Sequence, residues 1–157
     1  MTQTPTIGHV HLKVSNLDRS IAFYRDVLGF EVTQQLGDQA AFLSTGGYHH
    51  QIGLNTWMSR GQPPAPKRSP GLFHVAFLYP SRAALAQAVK RVVEAGVLLH
   101  GASDHGVSEA VYFADPDGNG IELYRDRIRA DWPRDADGNL AMGTAPLDVE
   151  ALLAEAV

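Results

Sequence analysis

The chain contains no cysteine among its 157 residues. That excludes disulfide staples, zinc–thiolate centres and thiol nucleophiles, and it fits a reducing compartment such as the cytoplasm. No apolar run is long enough to span a bilayer, and the opening MTQTPTIGHV lacks the charged-then-apolar order of a secretory leader. A soluble cytoplasmic protein with no membrane partner is expected. Positive charge is not in excess either: the formal net charge is −4 with no basic stripe, which speaks against nucleic acid as a partner. The length allows one domain with a real core and is too short for two ordinary ones.

The most informative stretch is GVSEAVYFADPDGNGIELYR, residues 106–125. Two alternating runs, 109–114 and 120–125, flank Asp115-Pro116-Asp117-Gly118-Asn119, a composition that marks a tight turn between antiparallel strands. Ile121 and Leu123 alternate with Glu122 and Tyr124, so the apolar pair faces a core and Glu122 faces the other way, with Tyr112 on the same side. The same parity in IGHVHLKV turns Val10, Leu12 and Val14 inward and leaves His9, His11 and Lys13 opposite. In LFHVAF it sets His74 apart from Phe73, Val75 and Phe77. Taken singly, each of His9, His74 and Glu122 is more often a hydrogen-bonded strand residue than a ligand. On three matched strands they make a two-His, one-carboxylate set suited to non-haem Fe(II), and equally able to take Mn(II), Zn(II) or Ni(II).

In chain order, a strand at 7–14 precedes a helix with Ser15 and Asp18 as candidate caps and Gly29 as its stop. Strands follow at 30–35, 40–44 and 50–55. Residues 56–70 are Pro-rich and hold no regular element. A strand at 72–79, a helix from Ser81 to Ala95 stopped by Gly96, and strands at 97–100, 109–114 and 120–125 repeat the first pass. Two βαβββ modules are implied, at about 6–56 and 71–127, in an α+β fold whose curved mixed sheet wraps a metal-binding cleft. They form a single domain over residues 1–130. A tail, 131–157, begins as an extended charged segment and ends in a short helix at 147–156. The apolar Leu147, Val149, Leu152 and Leu153 of that helix need a partner surface, in the same domain or in a second subunit, and a homodimer is the expectation.

The runs IGHVHLKVSNLDRSIAFYRDVLGF, FHVAF and VYFADPDGNGIELY, spanning about residues 6–127, resemble the vicinal oxygen chelate superfamily of glyoxalases, fosfomycin-resistance transferases, bleomycin-binding proteins and extradiol dioxygenases. The resemblance implies a divalent metal held by His9, His74 and Glu122. The hairpin is similar to the extradiol dioxygenase signature, with His105, Val111-Tyr112, Asp115-Pro116, Gly118 and Glu122 in the matching places; the position two before the histidine departs, being Ser103. By that likeness His105 and Tyr112 hydrogen-bond the hydroxyls of a catechol or the bound oxygen species. The overall run is most similar to catechol 2,3-dioxygenase proteins of the two-domain kind, whose second pair of modules has no counterpart before Val157.

The expected activity is therefore ring-opening oxygenation of a catechol-like vicinal diol by Fe(II) and O2. His105 or one of His49 and His50 is the candidate base, with His50 taken as the site residue of that pair, and Tyr112 is the hydrogen-bond donor. His11 is a candidate to orient a ligand from outside it. Two alternatives stand beside this: a glyoxalase-like lyase or isomerase using Zn or Ni, and a non-catalytic ligand-binding module of the same fold.

Overall fold

A computed structural model describes residues 4–156; the extreme ends of the two predicted segments, residues 1–3 and residue 157, lie outside the described residues. The chain divides into two units, Met1–Ser69 and Pro70–Val157.

In the first unit, β1 (Val10–Lys13) leads into α1 (Leu17–Ala22), which continues as a π-helical turn, Phe23–Val27. β2 (Glu31–Leu36), β3 (Ala40–Ser44) and β4 (Ile52–Asn55) follow. The sheet order is β1-β4-β3-β2, with β1 and β4 parallel and the other pairs antiparallel. α1 packs on β3 and β4. Val14, Tyr24, Leu43, Ile52 and Leu54 are buried there, while His11 and Lys13 of β1 remain exposed as the alternation requires. The cap of α1 is Asn16, in place of Ser15 or Asp18. It sits in extended backbone at the last non-helical position, and its side chain accepts from the Arg19 N–H at 2.9 Å. β2 carries a bulge between Val32 and Gln34. Thr33, the residue displaced there, donates its hydroxyl to the His49 carbonyl at 2.7 Å, which ties down the segment carrying His49 and His50.

The second unit contains β5 (His74–Leu78), α2 (Arg82–Glu94), β6 (Gly101–Asp104), β7 (Ser108–Ala114), β8 (Gly120–Asp126), β9 (Ala145–Pro146) and α3 (Val149–Leu153). Its sheet runs β5-β8-β7-β6-β9, again with one parallel pair, β5 and β8. Ser81 caps α2 by accepting from the Ala84 N–H at 3.1 Å, and Leu85, Ala88, Val89 and Val92 form its buried face. Each unit thus contains a βαβββ sequence on its own mixed sheet, and the fold class is α+β with two sheets.

Three further expectations need correction. The strand expected at 97–100 lies at Gly101–Asp104 instead; Leu98 is largely exposed, and the ladder is set by the partners β7 and β9, not by local hydrophobicity. Phe73 precedes β5 and is exposed, so it does not share the inward face of Val75 and Phe77. The tail is more structured than an extended charged segment. It has a 3₁₀ turn at Arg129–Asp131, a tight turn around Asp135, strand β9 on β6, and α3 on α2. Leu152 of α3 is fully buried within this unit. Leu152 thus finds its surface in its own chain, while Leu147, Val149 and Leu153 are half-buried.

Candidate metal and catalytic site

The hairpin between β7 and β8 is fixed by its turn. The Asp115 carboxylate accepts from the N–H groups of Asp117 and Asn119 and from the Asn119 side-chain amide, each at 2.9 Å. Gly118 supplies the positive φ of 83° that the corner requires. With the turn locked, the register follows: Val111 opposes Leu123, and Tyr112 opposes Glu122. Ile121 and Leu123 are fully buried against the core, which directs Glu122 and Tyr112 to the other face of the sheet.

The parallel neighbour β5 brings His74 beside Glu122. Ala76 pairs with Glu122 and His74 with Gly120. A Cβ on Gly120 would lie 2.1 Å from the Phe73 carbonyl oxygen, so only glycine lets β5 begin this close to β8. His74 Nε2 then meets Glu122 Oε2 at 2.8 Å. His74 Nδ1 is buried and has no hydrogen-bond partner among the described residues. Among the described residues, the ring is therefore oriented by its strand and by Glu122. An imidazole nitrogen and a carboxylate oxygen converging from adjacent strands are donors that fit a divalent first-row ion.

From Glu122 a hydrogen-bonded chain runs across the sheet. The Tyr112 hydroxyl lies 3.2 Å from Glu122 Oε1 and 2.6 Å from His105 Nε2, and His105 Nδ1 is 2.8 Å from the Gly143 carbonyl oxygen. The phenol has one proton and can give it to only one of its two acceptors at a time. Burial, reinforced by the negative charge of Glu122, pushes the Tyr112 phenol up to about 12. It is thus a hydrogen-bond donor and not a base. Tyr124, on the same face, is also raised, by burial and then by Asp126 and Glu122.

The remaining predicted residues belong to the first unit. His9 stands exposed just before β1, its ring 4.4 Å from that of His50. His49 Nδ1 and His50 Nδ1 are 2.7 Å apart, so one ring donates to the other. Phe42 packs against both His50 and His11. His11 lies over Gly53, where a Cβ would come within 2.8 Å of the ring, and beside Trp57. Burial and then the neighbouring His9 lower the pKa of both His11 and His50.

His74, Glu122, Tyr112 and His105 thus form one connected set, and His9 and His50 another. Within each unit, the described residues hold no group of three His, Asp or Glu side chains arranged as a metal site. Two features escaped the sequence reading. The Gly143 carbonyl is a backbone group and leaves no mark in the sequence. The turn at Asp135 did leave one: Asp135-Ala136-Asp137-Gly138-Asn139 repeats the Asp-X-Asp-Gly-Asn pattern of 115–119, and Asp135 accepts from the Asp137 and Asn139 N–H groups at 2.9 Å in the same way.

Residues 6–123 match the family described as the Glyoxalase/Bleomycin resistance protein/Dioxygenase superfamily. The chain is 42% identical to a catechol-2,3-dioxygenase of Bacillus subtilis (strain 168) over 151 residues, covering 96% of this chain and 52% of that protein. It therefore spans about half the length of that relative. It is 32% identical over 128 residues to biphenyl-2,3-diol 1,2-dioxygenase 3 of Rhodococcus globerulus, covering 82% and 67% of the two chains. It is 30% identical over 124 residues to the metallothiol transferase FosB of Shouchella clausii, covering 75% and 78%. Among solved structures, a glyoxylase/bleomycin resistance protein/dioxygenase domain from Frankia matches with a TM-score of 0.66 at 24% identity, over 80% of this chain and all of that one, a likeness of fold alone. By sequence and by fold alike, the chain belongs to the Glyoxalase/Bleomycin resistance protein/Dioxygenase superfamily.

Proposed function

We propose that this chain is an extradiol ring-cleaving dioxygenase acting on a catechol-like vicinal diol, with a divalent metal, Fe(II), held by His9, His74 and Glu122. The observation that carries the reading is the continuous chain from the His74–Glu122 pair through Tyr112 to His105, in a protein 42% identical to a catechol-2,3-dioxygenase. Holding a metal needs neither Tyr112 nor His105. Handling the protons of a diol needs both a donor and a base.

Bound Fe(II) supplies open coordination positions for the two diol oxygens and O2, together with the electrons that open the reaction with oxygen. The protein groups supply the proton handling. His105 Nε2 takes a proton from a diol hydroxyl, and Tyr112 donates its hydroxyl to the oxygen so exposed. His50 is the second candidate for the base. In the net reaction the ring C–C bond beside one hydroxyl-bearing carbon breaks and both atoms of O2 enter the product, so no external reductant is consumed. The proton on His105 returns to the product.

A second reading, metal-assisted group or proton transfer without oxygen, draws its support from the 30% identity to a metallothiol transferase. Metal analysis of anaerobically purified protein separates the two: iron is expected, and zinc or nickel would favour the second. His9→Ala, His74→Ala and Glu122→Ala should each abolish tight metal binding in equilibrium dialysis. Stoichiometric metal retained by any two of the three variants would refute the ligand set.

A further inference from the structure

We infer that the backbone carbonyl of Gly143, in the C-terminal tail, fixes which ring nitrogen of His105 carries the proton, and so makes Gly143 the positioning residue for the base of the site. The inference rests on the reading of the site given above, but the contact itself does not.

A carbonyl oxygen can only accept. The 2.8 Å approach of His105 Nδ1 to the Gly143 oxygen therefore requires a proton on Nδ1. In the neutral ring this leaves the lone pair on Nε2, facing the Tyr112 hydroxyl at 2.6 Å. The other neutral tautomer would set the Nδ1 lone pair against the carbonyl oxygen and forfeit that bond. Gly143 thus keeps Nε2, the nitrogen on the Tyr112 side, ready to receive a proton. When Nε2 has gained one, the positive ring still donates from Nδ1 to the same carbonyl, which stabilises the charge without moving any group.

The carbonyl is held where it can do this. The Gly143 N–H donates back to the His105 carbonyl at 3.1 Å, closing a two-bond clasp between the two residues. Two residues further on, the tail joins the sheet, with Asp104 paired to Ala145 and Ser103 to Pro146. On the other side of the corner, Gly106 at φ 76° admits Pro133, which a Cβ there would meet at 2.8 Å. Trp132 Nε1 donates to the Arg127 carbonyl at 2.9 Å, and the Ala141 N–H to the Pro133 carbonyl at 2.9 Å. The His105–Gly106 corner is bracketed by the tail on both flanks. Among the described residues, no atom beyond its two chain neighbours lies within 4 Å of where a Gly143 Cβ would be. The residue therefore acts on His105 through its backbone alone. It also lies outside residues 6–123, the part of the chain that matches the family.

The test is long-range ¹H–¹⁵N correlation of the histidine rings in the metal-free full chain, at a pH where imidazoles are neutral. His105 is identified by the signals that vanish in His105→Asn. The expected result is a neutral His105 protonated on Nδ1. The carbonyl is then weakened by replacing Thr144 with its α-hydroxy acid, so that an ester follows Gly143 and every side chain is retained. Part of the His105 population should move to the Nε2–H form, and in iron-loaded protein kcat should fall about three- to tenfold with KM unchanged, as for one weakened hydrogen bond. Gly143→Ala, which keeps the carbonyl and meets nothing, should retain the Nδ1–H form. A wild-type His105 protonated on Nε2, or an ester variant with an unaltered tautomer, would overturn the inference. Because the spectra are taken without metal or substrate, they stand whether or not the chain opens diols.

Discussion

Tyr112 sits between a carboxylate and an imidazole with one proton to give, and the partner that receives it distinguishes the two ends of the site. Given to Glu122, the proton lies toward a proposed metal ligand; given to His105, it lies toward the proposed base. Replacing His105 by Phe keeps a ring of similar bulk and removes both nitrogens. The expected outcome is retained iron and diol binding with turnover lowered by about 10²–10⁴-fold, the contribution of a positioned proton-transfer group. Tyr112→Phe removes one hydroxyl and keeps the ring, so its loss should be smaller. Equal single-turnover rates for His105→Phe and wild type would remove His105 from the chemistry. Glu122 and Tyr112 were legible as same-face residues because strand alternation has period 2 and the Asp115 turn fixes the register. His9 and His50 were legible as histidines on or beside strands. Their grouping with each other was not, since it depends on how the 48–50 segment is tied to Thr33 by a β-bulge.

At the scale of elements, the tail is the part that alternation could not reach. Strand β9 is two residues long and contains a proline, so it has no period to read. It is defined by its partner β6, itself a Gly-Ala-Ser-Asp run with little intrinsic preference for a strand. The helices were easier, because Ser81 and Gly96 punctuate α2 and its apolar residues repeat at helical spacing. α3 is anchored through Leu152, fully buried on α2, and through the Arg82–Glu155 ion pair. Arg82 also reaches the buried Glu109 at 3.0 Å, which Arg125 contacts at 2.7 Å. One carboxylate thus links α2 to the sheet, and Arg82 extends that link to the tail. Leu152→Ala should lower the unfolding free energy by about 3 kcal/mol, within the range for truncating a buried leucine. Urea denaturation checks this. A change under about 0.5 kcal/mol, the usual limit for surface substitutions, would mean that α3 does not rest on α2 in solution.

The molecule as a whole repeats one βαβββ plan twice, and that repetition was visible because the capped helices and their glycine stops recur in the same order. The division after Ser69 falls within the proline-rich stretch that the composition singled out. Acid stability belongs to this scale. Burial alone would raise the Asp104 carboxyl, but the Gly106 N–H at 2.8 Å and the Arg127 guanidinium at 2.5 Å, with Arg125 nearby, hold it below its ordinary value of 3.8. A carboxyl depressed in the folded state adds stability above its unfolded value, and that stability is lost as the pH falls through the folded one. Wild type should therefore lose melting temperature below pH 3.8 more steeply than Asp104→Asn, which lacks this contribution. Parallel curves for the two proteins would show that the ion pair does not contribute.

Ring opening of a diol with oxygen, as proposed for this chain, leaves a direct record in the oxygen it consumes. Its most direct measurement is oxygen uptake by anaerobically iron-loaded protein across a panel of substituted catechols, recorded together with the absorbance of the yellow ring-opened product. The expected result is uptake equimolar with product for at least one catechol, and ¹⁸O from O2 at both new oxygen positions. No uptake with any catechol by fully iron-loaded, folded protein would contradict it.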